Sequence, residues 1–524
     1  MIFSHLNFGI WYLNPKSSKM KQSGSIVNRI NRRSIINSTI TKRKNVLLLG
    51  SGFVSKPLVD YLVRQKDLKL IIASNSRADA ISLIRNHKEI DIVDLDVMNQ
   101  ENLNKIIQGS DVVVSLIPAN LHPIVAEACI KHKKNMVTAS YISSAMRELD
   151  NRAKQAGITI LNEIGVDPGI DHLSAMKIID DIKAKGGEVT SFISWCGGLP
   201  APEASKVPLK YKFSWSPRGV LIAALNDAHF WMNGKKHKIL GGELLKSHFP
   251  TVPIDSKYEF EGLANRDSLS YIDTYGLAPL ETKNAMLRGT LRYKGFSDLM
   301  YSFLKLGLLK TDPENVQHNS WPDFLDYVLF GPSPTTKPVM ESRIHKIKEK
   351  LDLSEKNQLM VDNVVEALKN LSLLEDPNQT TTNLINPPKI GSLSPLDTFC
   401  ILLQDKLKYY PGEKDLLVLY HEFEIKLKNG DKVTKTSKLI TDGIFGSTET
   451  YTAMAKTVGL PAAIATEMIA RGEIHDKGVL APTLPNIYNP ILEKLDYEGI
   501  KIEESIIEKG MRENLKWSGS GIWN

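Results

Sequence analysis

Cysteine is scarce in this sequence, and long apolar runs are missing. Only three cysteines occur among 524 residues, Cys129, Cys196 and Cys400, and no two of them have CxxC spacing. So few and so widely separated thiols exclude a disulfide-stabilised scaffold, argue against a structural zinc site and suit a reducing compartment. No apolar stretch reaches the ~18 residues that cross a bilayer, so we expect no membrane span.

Acidic residues are absent from the first 44 positions. The first one is Asp60, whereas this segment contains nine basic residues: Lys16, Lys19, Lys21, Arg29, Arg32, Arg33, Lys42, Arg43 and Lys44. These nine exceed the whole net charge of +7, and the other 480 residues carry 57 basic and 59 acidic side chains. Because the rest of the chain has no basic excess, and the aromatics of the segment are not interleaved with its basic residues, we expect no nucleic-acid partner.

The basic segment is more informative about localisation. A leader that has no acidic residues and contains Arg and Ser is typical of organelle transit peptides, and residues 1–44 lack the apolar core and cleavage site of a secretory signal. We therefore predict import into the mitochondrial matrix, with the cytoplasm as the alternative. A solvated, disordered extension would have the same composition. The same composition would also be found if the functional protein started at Met20 or later and the residues before that position were only upstream sequence.

From position 45 onwards, short apolar segments alternate with helical patterns. Strands are predicted at 46–49, 68–73, 90–93, 112–117, 135–138 and 158–161, with helices between them. Continuous apolar strands that alternate with helices are typical of a parallel sheet covered on both faces. We therefore expect an α/β fold with a doubly wound Rossmann sheet.

The pattern changes near residue 166. Mixed strands, aromatics and turns predict an α+β substrate domain, including a strand at 189–196 followed by a loop and a hairpin that turns at Asn429–Asp431. A Leu-, Lys- and Glu-rich stretch predicts a small helical domain. The expected division is a basic extension at 1–44, a dinucleotide-binding domain at 45–165 completed by 452–510, a substrate domain at 166–305 completed by 386–451, a helical domain at 306–385 and a tail at 511–524.

A glycine turn connects the first predicted strand to the first helix. Its sequence is Gly50-Ser51-Gly52-Phe53-Val54, and Ser55 stands where a dinucleotide fingerprint has its third glycine. Two glycines permit a tight turn and a close approach of backbone N–H groups to a pyrophosphate, and the helix N-terminus favours the anion. We predict that residues 50–54 bind a nicotinamide cofactor; a purely structural turn is the alternative.

The end of the second strand bears on the choice of cofactor. NAD-binding units usually carry Asp or Glu there, whereas this strand ends in Ser74-Asn75-Ser76-Arg77. Ser74, Asn75 and Arg77 could bind a 2′-phosphate, which favours NADP over NAD. Asp79 keeps NAD as the alternative, and Arg77 could also be a solvated loop charge.

Later strand ends should border the same crevice, because ligands of doubly wound sheets lie beyond the carboxyl ends of the strands. We expect Ile117 and Pro118, after the fourth strand, and Ala139, after the fifth, to lie beside the nicotinamide half of the cofactor. These three residues complete the predicted cofactor site.

The segment that follows the sixth strand gathers charged residues. Between Asn162 and His172 it contains one Glu, two Asp and one His around a Pro-Gly turn. Asp167 is predicted to contact substrate, whereas Asp171 could be only the N-cap of a helix.

These motifs, with others further along, resemble the saccharopine dehydrogenase family of the L-glutamate-forming type. The motifs are GSGFV at 50–54, SLIP at 115–118, VTASY at 137–141, GVDPGIDH at 165–172, CGGLPAPE at 196–203, YKFSWS at 211–216, NRDS at 265–268, RGTLRY at 288–293 and AMAKTVG at 453–459. The resemblance covers about residues 44–500 in the family's order. One departure concerns the cofactor: family members carry either Arg in a Cys/Ser-Arg-Thr context or an acidic residue at the position of Asn75, and this chain has neither.

The resemblance implies an oxidoreductase of lysine metabolism that acts on a CH–NH group. It implies interconversion of saccharopine with L-glutamate and 2-aminoadipate 6-semialdehyde by hydride transfer with a nicotinamide cofactor. The end of the second strand favours NADP over NAD for this cofactor. The expected partners are these small molecules, with a homodimer as a further possibility, and no metal is expected.

The resemblance also assigns residues to the substrate. Three carboxylates on saccharopine suit bidentate guanidinium groups, and the family's substrate motifs contain two arginines here. The substrate-binding residues carried over are Ser140, Tyr141, Asp167, Arg266, Arg288, Gly289 and Thr290. The candidates for moving a proton are Asp167, Tyr141 and His172, and Cys196 is expected to be a buried filler.

Two alternative functions are kept. One is another NAD(P)-dependent imine or amino-acid reductase on the same scaffold, such as a carboxynorspermidine-type enzyme. The presence of Arg266 and Arg288 disfavours it, since a polyamine substrate would need carboxylates in their place. The other is a nicotinamide-binding regulatory protein that has lost turnover, which the joint presence of Asp167 and these two arginines disfavours.

Overall fold

The structure is a computed structural model. It describes residues 43–523, apart from 85–86, 88, 315, 333–337, 354–356, 375–385, 388–392 and 446–449. The predicted transit segment therefore lies outside the described residues, except for its last two positions. In the described part of the chain, no helix is both long enough and apolar enough to cross a membrane.

Seventeen strands are described. They are β1 (Lys44–Leu49), β2 (Leu68–Ser74), β3 (Asp91–Asp94), β4 (Val112–Ser115), β5 (Asn135–Val137), β6 (Thr159–Leu161), β7 (Glu188–Pro200), β8 (Ala228–Met232), β9 (Lys235–Ile239), β10 (Phe260–Ala264), β11 (Ala285–Tyr293), β12 (Asp415–Lys426), β13 (Lys432–Asp442), β14 (Ile444–Phe445), β15 (Thr450–Tyr451), β16 (Gly478–Leu480) and β17 (Glu503–Ile507).

Sixteen α-helices are described with them. They are α1 (Ser55–Val63), α2 (Arg77–Leu83), α3 (Gln100–Gln108), α4 (His122–His132), α5 (Ser144–Glu148), α6 (Asp150–Ala156), α7 (Ile170–Ala184), α8 (Pro217–Ala223), α9 (Tyr271–Thr274), α10 (Phe296–Leu306), α11 (Trp321–Phe330), α12 (Met340–Leu351), α13 (Gln358–Asn370), α14 (Pro395–Lys406), α15 (Ala453–Arg471) and α16 (Pro485–Tyr497).

The first sheet has seven strands in the order β16-β6-β5-β4-β1-β2-β3, and every pair is parallel. Side chains of β1 alternate between its faces: Val46 and Leu48 join one apolar core, and Leu47 and Leu49 join another. This two-sided burial explains why the strands read as continuous apolar runs. The predicted doubly wound parallel sheet is confirmed, and β1 lies at its switch point, between β2 and β4.

The second sheet is mixed and has eight strands. Its order is β17-β13-β12-β7-β11-β8-β9, with β10 also paired to β11; β7 and β11 are parallel, and the other pairs are antiparallel. The β12–β13 hairpin turns at Asn429–Asp431, as predicted. The strand predicted to stop at Cys196 instead continues to Pro200, because β12 pairs with it as far as Asp415 opposite Pro200.

Helices fill the space around the second sheet and beside the first. α10 to α14 share an apolar core with one face of the second sheet, through residues such as Phe303, Phe324 and Phe399. The Ala-rich helix α15 packs against α1, β1, β4 and β5. The predicted domain boundaries stay a prediction, and one segment complicates them, because β17 lies within 452–510 yet pairs with β13 in the second sheet.

A buried carboxylate connects the second sheet to α15. Asp415 is 1% exposed, and its oxygens accept the backbone N–H groups of Ala453 (2.6 Å) and Met454 (2.9 Å) in the first turn of that helix. Burial raises the pKa of Asp415 to about 6, although these N–H groups oppose the rise.

This raised pKa predicts the sign of one contribution to stability. Asp415 holds its proton more tightly in the folded chain than in the unfolded chain, so its contribution is greatest below about pH 4 and is lost as the pH rises through about 6. The loss amounts to up to about 3 kcal/mol. Urea-unfolding midpoints should therefore fall less between pH 4.5 and 7 for Asp415→Asn than for the unsubstituted protein.

Asp397→Asn is the matched control. Asp397 lies in the first turn of α14, and its pKa is lowered, because Ser394 and Arg218 outweigh the effect of burial. Its contribution is therefore lost only as the pH falls below about 4, so Asp397→Asn should keep the pH dependence of the unsubstituted protein between pH 4.5 and 7. The same change in both variants would contradict the assignment to Asp415.

Candidate active site

The predicted cofactor turn lies between β1 and α1. Gly50 has a φ of +103°, and a Cβ atom there would lie 2.9 Å from the carbonyl oxygen of Leu116. Only glycine fits this position. A Cβ at Gly52 would meet no atom within 4 Å, so this side of the turn is open. The first turn of α1 carries no acidic residue, and a free helix N-terminus of this kind suits a phosphate group.

Close packing behind the turn explains the residue at its third position. Ser55 is fully buried and begins α1. A Cβ at Gly459 of α15 would lie 2.8 Å from the carbonyl oxygen of Val54 and 3.1 Å from the backbone nitrogen of Leu58. Small residues on both helices therefore let α15 cover the start of α1, and Phe53 stays half-exposed beside it.

The end of β2 lies next to the turn. The hydroxyls of Ser51 and Ser74 are 2.8 Å apart, and the Ser74 oxygen accepts the backbone N–H of Ser76 at 3.0 Å. Asn75 is exposed. Arg77 begins α2 and lies 3.2 Å from the Asp94 carboxylate, and both side chains are more than half exposed. An ion pair of this kind is weak, so the Arg77 guanidinium remains available to a ligand.

The loops after β4 and β5 complete this edge of the sheet. β4 ends at Ser115 rather than at the predicted Ile117, and Ile117 packs against the turn, 3.4 Å from a Cβ at Gly50. Pro118 is exposed and Ala139 is half-buried. The structure thus brings the predicted cofactor residues to the carboxyl ends of β1, β2, β4 and β5, as expected for a ligand crevice at a switch point.

An ion-pair cluster on β11 forms the second part of the site. The Arg288 guanidinium is 2.8 Å from the Asp167 carboxylate and also donates to Asp171. The hydroxyl of Tyr141 donates to the same Asp167 oxygen at 2.8 Å. The Arg288 side chain is 4% exposed and that of Asp167 15%. Of the two carboxylates, Asp167 is therefore the one that reaches solvent.

Aromatic rings arrange the two arginines. The Arg288 guanidinium lies 4.2 Å from the centre of the Tyr271 ring, and the Arg266 guanidinium lies 5.3 Å from the centre of the Tyr141 ring. Both contacts are within the range of cation–π attraction. Arg266 is exposed and adopts a left-handed φ of +51°. The structure thus places two guanidinium groups beside Tyr141, one fixed and one open to solvent.

Asp171 has more than a capping role. Gly169, not Asp171, is the N-cap of α7, and the Asp171 carboxylate accepts the N–H groups of Gly169 (2.5 Å) and His172 (2.8 Å) besides pairing with Arg288. Burial raises the pKa of Asp171, but His172, Arg288 and the Gly169 N–H outweigh it and hold this pKa below its usual value. Asp171 is therefore the permanent counter-ion of Arg288.

Asp167 behaves differently from its neighbour. Burial and the charge of Asp171 raise the pKa of Asp167, and Arg288 opposes the rise. Asp167 and Asp171 share the Arg288 guanidinium, and the charged form of Asp171 is the better stabilised of the two. Asp167 therefore takes up and releases a proton more readily than Asp171 does. The geometry thus separates a structural carboxylate from one that can take up and release a proton.

His172 lies behind this cluster. It is fully buried, its Nδ1 is 2.7 Å from the Tyr275 hydroxyl, and its Nε2 is 3.0 Å from the Glu163 carboxylate. Its ring stacks on Tyr271 with centres 5.5 Å apart. Glu163 also accepts the backbone N–H of Ile142 at 2.8 Å. His172 thus contacts the Tyr271 ring that lies against Arg288, and through Glu163 it is connected to the loop that follows Tyr141.

Gly289 and Thr290 lie within β11, between β7 and β10. A Cβ at Gly289 would lie 2.1 Å from the Trp195 ring, so only glycine permits this approach. Thr290 is half-buried and shares a strand face with Arg288. Its β7 neighbour Cys196 is buried, and burial raises the pKa of that thiol.

The cluster therefore contains the predicted Tyr141, Asp167 and Arg288, with Arg266 above the same tyrosine ring. Tyr271 and Tyr275 were not predicted from the sequence, Glu163 was noted only as part of the charged segment, and Asp171 was a possible cap. An Asp at the start of a helix in a segment rich in charged residues was the available signal for Asp171. Across the described ranges, no group of three or more His, Cys, Asp or Glu side chains is arranged to hold a metal ion.

Comparisons with known proteins agree with this fold. Two family models match in succession, the saccharopine dehydrogenase NADP binding domain over residues 46–161 and the saccharopine dehydrogenase C-terminal domain over residues 165–500. Together they cover both sheets except β17 and the first two residues of β1.

Individual relatives match over almost the same length. A saccharopine dehydrogenase [NADP(+), L-glutamate-forming] of Schizosaccharomyces pombe is 38% identical over 472 residues, which are 89% of this chain and 99% of that protein. The mitochondrial alpha-aminoadipic semialdehyde synthase of Bos taurus is 38% identical over 478 residues, 90% of this chain but 49% of that protein.

A solved structure supports the fold. The apo saccharopine dehydrogenase (L-Glu forming) of Saccharomyces cerevisiae superposes with a TM-score of 0.74 at 38% identity, covering 88% of this chain and all of that one. Two family models match in succession, a relative matches over almost its whole length, and a solved structure has the same fold. This chain therefore belongs to the saccharopine dehydrogenase family.

Proposed function

We propose that this chain is an NADP-dependent saccharopine dehydrogenase of the L-glutamate-forming type. It interconverts saccharopine with L-glutamate and 2-aminoadipate 6-semialdehyde. The observation that carries this proposal is the pair of guanidinium groups, Arg266 and Arg288, which lie 5.3 and 6.0 Å from the centre of the Tyr141 ring, with Arg288 also bonded to Asp167. A tricarboxylate substrate that also carries amine nitrogens needs this combination of charges.

The cofactor residues fit a nicotinamide dinucleotide. Residues 50–54 would hold the pyrophosphate through backbone N–H groups, since the open side of Gly52 leaves room for a phosphate. Ser74, Asn75 and Arg77 would hold the 2′-phosphate, and Ile117, Pro118 and Ala139 would border the nicotinamide. When bound, NADP supplies the hydride acceptor of the reaction.

The protein's own side chains bind and orient the substrate. Arg266 and Arg288 each bind a carboxylate, and Thr290 and Ser140 add polar contacts. Gly289 lets β11 pack closely against the Trp195 ring. Asp167 holds the amine nitrogen that is oxidised, because its carboxylate is the solvent-reaching one. This orientation converts an encounter of two flexible molecules into a fixed geometry, which is the main contribution of the site.

Proton transfer is assigned to Asp167 and Tyr141. Their hydrogen bond is 2.8 Å, and the pKa of Asp167 is raised by burial, so it can take the proton that the substrate nitrogen loses. His172 has no exposed surface and contacts Glu163 and Tyr275. It supports the cluster from behind and is therefore a positioning residue in this proposal.

A substrate panel tests the proposed function. The purified protein and NADP are incubated with saccharopine or with carboxynorspermidine, and the products are identified by mass spectrometry. The proposal requires L-glutamate from saccharopine and no turnover of the polyamine. Turnover of carboxynorspermidine alone would support the other reductase, and NADPH binding without any turnover would support a regulatory protein.

Replacing Arg77 tests the choice of cofactor. Arg77→Ala is expected to raise KM for NADP about tenfold, because a charge-assisted contact with the 2′-phosphate is lost, and to change KM for NAD less than about twofold. Arg64→Ala is the matched control, since Arg64 has the same exposure and a similar ion pair, with Glu498. An equal loss with both cofactors would remove Arg77 from the phosphate site.

Localisation rests on the N-terminal segment. We propose the mitochondrial matrix, supported by the acid-free basic composition of residues 1–44 and by relatives whose names include the word mitochondrial. A fluorescent protein fused behind residues 1–44 should enter mitochondria, and the same fusion with the nine basic residues changed to Gln should stay in the cytoplasm. Cytoplasmic retention of the first fusion would favour the cytoplasm. A homodimer remains a prediction.

A further inference from the structure

A buried histidine outside the ion-pair cluster contacts three hydroxyl groups. His122 begins α4 and is 1% exposed. Its Nδ1 is 2.9 Å from the Ser115 hydroxyl, and its Nε2 is 2.8 Å from the Ser140 hydroxyl and 3.1 Å from that of Thr138. Ser115 ends β4, and Thr138 and Ser140 follow β5. One side chain therefore connects the carboxyl ends of two adjacent strands.

The imidazole is neutral in this position. Burial lowers the pKa of His122 to about 4, so near neutral pH it has one N–H donor and one lone pair. Each hydroxyl can donate or accept, so either tautomer gives the ring two hydrogen-bonding partners. Buried polar groups in such a closed arrangement are held firmly, because no water competes for them.

The loop that His122 holds is the one that carries predicted ligand contacts. Ala139 was assigned to the cofactor, and Ser140 and Tyr141 to the substrate. Tyr141 in turn donates to Asp167. A shift of the Ser140 hydroxyl would therefore move a substrate contact directly and disturb the Tyr141–Asp167 pair one residue further along.

We propose that His122 is a positioning residue that fixes the Ser140 hydroxyl for substrate binding. The proposal rests on the proposed function, because it presumes that Ser140 contacts saccharopine. His122 acts through Ser140 and touches neither the substrate nor the reacting atoms. The sequence signal was slight: a histidine one residue before Pro123, at the start of a helix.

Four variants test the proposal, with KM for saccharopine and the dissociation constant of NADPH as readouts. His122→Ala should raise KM for saccharopine about tenfold and change NADPH binding less than about twofold. His122→Gln can place its amide near the Nε2 position and should recover most of the loss. His122→Asn reaches only the Nδ1 position, towards Ser115, and should not. His132→Gln, on the same helix but bonded to Asn104, is the control and should behave as the unsubstituted protein.

A double-variant cycle separates positioning from packing. If His122 acts through Ser140, then Ser140→Ala and the combined Ser140→Ala/His122→Ala protein should both show an increase of about tenfold in KM, not a hundredfold one. If His122→Ala does not fold, the Gln and Asn variants still give the comparison. Equal KM values for these two variants, additive losses in the cycle, or an equal weakening of NADPH binding would overturn the proposal. Absence of saccharopine oxidation by the unsubstituted protein would instead overturn the proposed function.

Discussion

Replacing Arg288 with glutamine is expected to lower kcat/KM for saccharopine by about a thousandfold. Arg288 is the fixed guanidinium of the site, held by Asp171 and by the Tyr271 ring. Its loss removes the charged partner of a substrate carboxylate in a place where little water can replace it. Steady-state kinetics with saturating NADP measure this effect directly.

The same substitution should destabilise the protein. It leaves the carboxylates of Asp167 and Asp171 buried without their cation, and breaking a buried ion pair in this way costs about 3–5 kcal/mol. Arg288 helps to hold the pKa of Asp171 below its usual value. The stability that follows from a lowered pKa is present at neutral pH and is lost as the pH falls.

The difference in stability between the Arg288→Gln variant and the unsubstituted protein should therefore be largest near pH 7 and shrink towards pH 4, because the buried carboxylates of the variant have lost their cation and take up protons as the pH falls. Urea-unfolding midpoints across this range measure it. A difference that grows on acidification would contradict the assigned roles of the two aspartates.

Arg266→Gln is the matched control for Arg288. Arg266 is predicted to bind another substrate carboxylate, but it is exposed and lies over the Tyr141 ring. Its replacement should raise KM for saccharopine about tenfold and leave the unfolding midpoint unchanged. If Arg266→Gln destabilised the protein as much as Arg288→Gln, the distinction between a buried and an open arginine would fail.

Replacing Gly50 with alanine is expected to weaken NADP binding about a hundredfold, the equivalent of ~2.7 kcal/mol. The substitution places a Cβ 2.9 Å from the Leu116 carbonyl oxygen at a φ of +103°, so the turn must move. Strain of this kind costs about 1–3 kcal/mol, and the displaced N–H groups no longer converge on the phosphate. Fluorescence titration with NADPH measures the affinity.

Gly52→Ala separates strain from contact with the cofactor. A Cβ at Gly52 meets no protein atom within 4 Å, so the folded state should keep its stability. Its affinity for NADPH should nevertheless fall, because the new methyl group occupies the open side of the turn. Unchanged NADPH binding in both glycine variants would remove the turn from the cofactor site.

The parts of the fold that follow from local patterns could be predicted from the sequence. The first sheet was predictable because each of its strands is a short apolar run, and the turn at Gly50 follows directly from local chain chemistry. The segment beyond Cys196 was not. Gly197 and Gly198 indicate a loop, but a Cβ at these positions would lie 2.8 Å from the Leu291 Cβ and 2.2 Å from the Met454 Cε. These glycines continue β7 because neighbouring side chains pack against its backbone.

Contacts within the site were also not predictable from local sequence patterns, because they join residues that are far apart in the chain. Asp167 was singled out from its charged segment and Arg288 through the resemblance to a family, but their contact joins residues 121 positions apart and could not be predicted. Asp171 was missed as a counter-ion because its partner Arg288 is 117 residues away, and its local position suits an N-cap equally well. His122 was missed for the same reason, since the hydroxyls that it contacts meet only when β4 and β5 pair.

The rate of saccharopine oxidation, followed at the absorbance of the reduced nicotinamide with NADP and NAD in parallel, is the decisive test of whether this protein is an NADP-dependent saccharopine dehydrogenase. We expect saccharopine-dependent formation of NADPH, a higher kcat/KM with NADP than with NAD, and release of L-glutamate in equal amount. A purified protein that binds NADPH but leaves saccharopine unchanged with either cofactor would contradict this expectation.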